Sequence, residues 1–176
     1  IIPEPFYANY RGFAQMAGVK IVPVTATIED GFELPPISDF EKRITPRTKA
    51  ILICNPGNPT GKVYAPEAMD NLAQIVRDND LYLFSDEVYR EFCYDGAVSK
   101  SVLQLDGIEN NVVLIDSVSK RYSMCGARIG ALITKNKELK ETVMKFAMTR
   151  LSPPTFGQIA SEAALKASES YFEDVR

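Results

Sequence analysis

Histidine is missing from all 176 residues. Without an imidazole the chain carries no Ser-His-Asp or Cys-His arrangement of its own, and a zinc centre lacks its usual nitrogen ligand, so no metal site is expected. Cysteine is scarce: Cys54, Cys93 and Cys125 make an odd count of 3 with no C-x-x-C spacing. That usage gives no disulfide framework and suits free thiols in a reducing cytoplasm. Neither sign of charge dominates, since 20 basic and 23 acidic side chains leave a formal net charge of −3. The chain therefore offers no electrostatic footprint for nucleic acid or an anionic membrane. No apolar run approaches the roughly 18 residues that cross a bilayer, and none reads as a signal peptide. Repeats, low-complexity tracts and linkers are also absent. A methionine start is absent too: Ile1-Ile2 reads as the tail of a strand entering Pro3-Glu4-Pro5, and the expectation is a piece of a longer protein.

What is present suits one core. Apolar residues make up 45% of the chain, and at this length roughly 70% of the unfolded surface can be buried. The apolar runs are short and nearly continuous: Val19–Val24, Ala50–Cys54, Leu81–Phe84, Val112–Ile115 and Ile129–Ile133. Such runs predict strands buried on both faces, as in a parallel sheet. Helical patterns lie between them. Pro66 suits a first helical turn, after which Met69, Leu72, Ile75 and Val76 share one face. Ser38 to Glu41 is a capping-box pattern opening a short helix. Asp30-Gly31 predicts a hairpin turn between Thr25–Ile28 and Phe32–Leu34. Helices are expected after Lys137 and after Pro153, the second with Ser152 as N-cap. The order predicts an α/β protein, a three-layer α/β/α sandwich around a mostly parallel sheet.

Ligands of open α/β sheets sit outside the carboxyl ends of the strands. Three apolar runs are each followed by polar groups: Asn55-Pro-Gly-Asn-Pro-Thr-Gly61, Ser85-Asp-Glu-Val-Tyr89, and Asp116-Ser-Val-Ser-Lys120 with Arg128 beyond it. The segment Gly57 to Lys62 resembles a phosphate-binding P-loop only superficially. It is one residue short between the glycines, Val63 stands where a magnesium-binding hydroxyl belongs, and Pro59 lacks a backbone donor.

Together these strand ends bring a lysine, a carboxylate, a phenol, a carboxamide, a serine and an arginine to one crevice. A lysine amine forms a Schiff base with an aldehyde. A carboxylate holds a pyridine nitrogen protonated. A phenol and an amide donate to a phenolate oxygen, while serine and arginine suit a phosphate. One cofactor asks for all six: pyridoxal 5′-phosphate. With no histidine available, the lysine is also the natural proton carrier.

N-P-G-N-P-T-G at 55–61, S-D-E-V-Y at 85–89, S-V-S-K at 117–120 and R-I-G at 128–130 closely resemble the fold-type I aminotransferases of class I and II, the aspartate and aromatic branch most of all. The resemblance implies amino transfer between an amino acid and a 2-oxo acid, a homodimeric parent, and residues 1–176 as its large cofactor-binding domain, incomplete at both ends. It implies Lys120 as the Schiff-base lysine and Asp86 as the partner of the pyridinium nitrogen. Tyr89 and Asn58 match donors to the ring's phenolic oxygen. Ser117 and Arg128 match phosphate ligands, with Ser119 beside them, and Tyr7 matches the aromatic stacked on the ring. The family's glycine-containing phosphate loop, the arginine for the substrate carboxylate and an aromatic lent by the neighbouring subunit fall outside this stretch.

Plainer readings stand beside these. Asp86 also suits a helix N-cap, Asn58 a turn, Tyr89 a packing role, Arg128 a surface ion pair, Ser117 a loop hydroxyl and Lys120 an ordinary exposed lysine. Phe6 and Tyr10 rival Tyr7 in type. Arg150 suits a helix anchor or a ligand contact. Cys54 and Cys125 read as small buried thiols. A C–S β-lyase of the same fold uses the same parts, and so does a regulator's sensor domain that binds the cofactor without efficient turnover.

Overall fold

All residues from Ile1 to Arg176 are described in a computed structural model. Strand β1 (Ile2–Glu4) pairs in parallel with β2 (Pro23–Thr25), Ile2 opposite Pro23. Strands β3 (Ala50–Cys54), β4 (Tyr82–Asp86) and β5 (Val112–Ser117) form a parallel set, and β6 (Gly130–Ile133) returns antiparallel to β5. The two groups meet at β1 and β3. The Ile1 ammonium donates to the Ala50 carbonyl at 2.8 Å, and the Leu52 N–H donates to the Ile1 carbonyl at 2.9 Å. The strands therefore run in the order β2-β1-β3-β4-β5-β6, mostly parallel as the continuous apolar runs required.

Helices α1 (Asn9–Met16), α2 (Ile37–Glu41), α3 (Pro66–Asp78), α4 (Val118–Arg121), α5 (Lys137–Thr149), α6 (Thr155–Ala164) and α7 (Glu169–Val175) fill the connections. Side chains alternate across a strand, and this sorts the sheet. Ile51, Leu83 and Val112 lie level with one another, and so do Ile53, Ser85 and Leu114. Their apolar members join Met69, Leu72, Ala73, Ile75 and Val76 of α3 in the core. Pro66 opens α3 at its first turn, where a missing N–H leaves no bond unmade. Each fully buried Leu or Ile there contributes about 1.5–3 kcal/mol. The opposite face carries Cys54, Asp86 and Ile115 in one row. Tyr10 of α1 reaches that row, so helices cover both faces and the sandwich has three layers.

Four local expectations are corrected. Val19 is not in a strand. Gly18, at φ +65°, caps α1 with N–H bonds from Gly18 to Gln15 and from Val19 to Ala14, the Schellman pattern. Asp30-Gly31 is a turn, but no hairpin flanks it, because β2 ends at Thr25 and takes β1 as its partner. Ser38 lies inside α2, whose N-cap is Pro36 with no side-chain cap bond. Pro154, not Ser152, is the N-cap of α6. The residue before a proline is held out of helical geometry, and here Pro153-Pro154 delays the helix to Thr155.

Candidate active site

β4 runs two residues past its apolar run and β5 also two. Ladder pairing uses the backbone and tolerates polar side chains, so Cys54 still pairs with Asp86, and Ser117 with Gly130. Asp86 and Ser117 thus become the last residues of their strands, on the carboxyl edge where ligands bind. Both oxygens of Asp86 have donors: the Tyr10 hydroxyl at 2.8 Å on Oδ2 and the Val88 N–H at 3.3 Å on Oδ1. Burial raises the Asp86 carboxyl above its ordinary value, against these two hydrogen bonds. Glu87 points the other way. It is 1% exposed and accepts the Val102 N–H at 2.9 Å, so this second acid ties a loop to the core. Burial raises its carboxyl too.

The 55–62 loop is fastened from below by Asn55, fully buried, whose Oδ1 accepts the Tyr64 N–H at 3.0 Å. Three of its amides are engaged within the loop: Gly57 N–H donates to Lys62 O, Gly61 N–H to Gly57 O, and Lys62 N–H to Thr60 Oγ1. It is no phosphate cradle. Asn58 turns outward, and its Nδ2 donates to the Tyr89 hydroxyl at 3.2 Å. Over the Tyr89 ring sits the Lys120 ammonium, 5.7 Å from the centroid. Three residues from three strand ends are thus brought together. Lys120 is exposed and enters no salt bridge. A cation on a phenol face at such a site is held by only about 0.5–1 kcal/mol, which leaves the amine available.

Ser117 Oγ lies 2.8 Å from Ser119 Oγ and 2.9 Å from the Ile129 carbonyl, and accepts the Ser119 N–H at 3.1 Å. One hydroxyl proton serves those two acceptors in turn, so the pair can re-aim a donor toward an incoming anion. Arg128 is exposed, left-handed at φ 58°, and bonded to the Cys125 carbonyl at 2.8 Å. That backbone region disfavours a side chain by roughly 1–2 kcal/mol. No contact joins its guanidinium to Ser117 or Lys120, although its neighbour Ile129 is bonded to Ser117. Tyr7 is 40% exposed and stands edge-on to Tyr10 at 5.6 Å. Cys54 is buried as expected, whereas Cys125 is exposed on a short turn.

Two features escape the sequence reading. One is Tyr10, whose partner Asp86 lies 76 residues away in sequence. The other is an ionic quartet under the Lys120 turn. Arg121, 8% exposed, contacts both Asp116 oxygens at 3.2 and 3.0 Å and Glu91 at 3.3 Å, while Arg90 reaches Asp116 at 3.3 Å. The only available signal was arginine beside the lysine, a pattern too common to read.

A three-layer α/β chain whose parallel strands deliver a lysine, a carboxylate and a phenol–amide pair to one edge has the architecture of the pyridoxal-phosphate-dependent transferases. The profile of the family described as aminotransferase class I and II matches residues 1–176. The chain belongs to that family, whose members use pyridoxal 5′-phosphate. It is 34% identical over 172 residues to aromatic-amino-acid aminotransferase 2 of Thermococcus litoralis, covering 97% of this chain and 44% of that protein. It is 33% identical to the aspartate aminotransferase of Pyrococcus abyssi, again over 97% and 44%. Among solved structures, an aspartate aminotransferase double mutant of Thermus thermophilus superposes with a TM-score of 0.91 at 31% identity, over 99% of this chain and 46% of that one. The chain spans less than half the length of the relatives it matches.

Proposed function

We propose that residues 1–176 form the cofactor-holding part of a cytoplasmic, homodimeric aminotransferase that moves an amino group from an aspartate-like or aromatic amino acid to a 2-oxo acid. The observation that carries this reading is the Asn58–Tyr89–Lys120 contact set at the strand edge that also bears Asp86. The donor set fits pyridoxal 5′-phosphate: an amine for its aldehyde, a carboxylate for its ring nitrogen, and a phenol with an amide for its ring oxygen. Ser117, Ser119 and Arg128 suit its phosphate. Arg128 must exchange its bond to Cys125 for such a contact. Tyr7 supplies a ring face.

Bound pyridoxal 5′-phosphate supplies an electron sink for the carbon that loses its proton. The chain's own residues do the rest. Asp86, as an anion, stabilises positive charge at the ring nitrogen. Asn58 and Tyr89 fix the ring in its plane. Lys120 Nζ, once free, carries the proton, a role no imidazole can take here.

Borohydride reduction of the intact protein tests this. The lysine reading expects a pyridoxyl label on the peptide holding Lys120, and neither label nor amino transfer in Lys120→Ala. Amino transfer retained by Lys120→Ala would falsify the assignment. Pyruvate released from cystathionine without an acceptor points instead to a lyase.

A further inference from the structure

Tyr10 belongs to none of the strand-end motifs, yet it touches two of the groups placed at the site. Its hydroxyl donates to Asp86 Oδ2 at 2.8 Å across 76 residues of sequence. Its ring meets the Tyr7 ring edge-on at 5.6 Å and lies near-parallel to Phe6 at 6.3 Å and 27°. The residue is 8% exposed. From these contacts we infer that Tyr10 is a positioning residue: its hydroxyl fixes the Asp86 carboxylate toward the cofactor's ring nitrogen, and its ring backs the Tyr7 face. The inference rests on the aminotransferase reading for the identity of the group being faced, and on geometry alone for the tyrosine–aspartate bond.

The chemistry is asymmetric in a useful way. A carboxylate with one donor on each oxygen cannot rotate without losing a bond, so these two contacts fix the Asp86 rotamer. The donor is also permanent. Burial, then the nearby Cys54 and Asp86, push the Tyr10 hydroxyl far above an ordinary phenol. It therefore stays protonated over the range in which a carboxyl titrates. The other titratable groups facing Asp86 are few. Cys54 of β3 pairs with it in register, and its thiol is pushed up to about 12 by burial. Asp116 of β5 opposes ionisation of Asp86 but is itself tied to Arg121 and Arg90. Tyr10 is thus the one side chain that favours the Asp86 anion before any cofactor arrives. A purely structural tyrosine does its work through the ring and is indifferent to loss of the oxygen.

Carboxyl-carbon NMR on chain 1–176 labelled at aspartate, without cofactor, separates the two. Asp86→Asn identifies the resonance. A hydrogen bond to a charged group is strong enough that Tyr10→Phe raises the Asp86 midpoint by about 1–2 pH units. A midpoint unchanged from wild type overturns the inference. If Tyr10→Phe unfolds, 3-fluorotyrosine at position 10, a stronger donor with the same ring, is expected to lower the midpoint, and an unmoved midpoint again refutes it. In the intact enzyme, Tyr10→Phe lowers kcat more than it changes KM and moves the acid limb of the kcat profile upward. An unmoved limb overturns the role toward the cofactor. Because the titration needs no cofactor, failure of the lysine label and failure of the tyrosine bond are read separately.

Discussion

Asp86 and Glu87 are adjacent acids that face opposite sides of the sheet. An ion pair between Asp86 and a ring nitrogen carries about 4 kcal/mol at 4 Å and an effective dielectric near 20. Asp86→Asn in the intact enzyme is therefore expected to lower kcat by roughly 10³-fold while changing cofactor affinity much less. Stopped-flow rates and cofactor titration measure the two. Glu87 bears on stability. A carboxyl raised above its unfolded value of 4.5 binds its proton more tightly in the native state. Its contribution is full below that value and is lost as pH rises through the folded one. Glu87→Gln keeps an acceptor for Val102 and cannot ionise, so its unfolding free energy is expected to lose this decline as pH rises above 4.5. Urea midpoints of the two proteins across that range provide the check, and parallel curves refute it. Glu87→Ala, which strands the Val102 N–H, is expected to cost about 1–3 kcal/mol.

Among the elements, β3 was legible to the residue because Ala50–Cys54 is an uninterrupted apolar run. α3 was legible because Pro66 and the Met69–Leu72–Ile75–Val76 face mark its start and its side. β2 was not, since the cap at Gly18 and Val19 competes for the same valine-rich stretch. The polar strand ends lie beyond the apolar runs: patterning sees side chains, whereas the ladder through Asp86 and Ser117 is made by backbone. Tyr10 and the Arg121 quartet were out of reach because their partners are distant in sequence or ambiguous in type. α6 packs most tightly at its glycine, the one buried residue of the helix. A Cβ on Gly157 meets the Ala127 carbonyl at 2.6 Å and the Ile129 side chain at 3.2 Å. Gly157→Ala is accordingly expected to destabilise by about 1–3 kcal/mol, lowering Tm by roughly 2–4 °C per kcal/mol. A calorimetric scan decides, and an unchanged Tm means α6 is not anchored there.

Across the fold, burial is lopsided. The α3 side holds the core, while β6 is exposed along its length, α5 buries nothing and α6 buries only Gly157. Leu132, Ile133, Met144, Phe146, Phe156 and Ile159 are left at the surface. Exposed edge strands and apolar patches promote self-pairing. Chain 1–176 is expected to associate as its concentration rises, and Leu132→Lys with Ile133→Glu to reduce this in sedimentation velocity runs. Equal sedimentation by both proteins removes β6 as the cause. The period of two in β4 has a last consequence. Deleting one residue ahead of Phe84 would rotate the frame by half a pleat, sending the longer acid out to meet α1 and the shorter one in to the buried place of Ser85. Composition would lose a single residue, yet the acid facing α1 would change and the Val102 N–H would be left without its carboxylate.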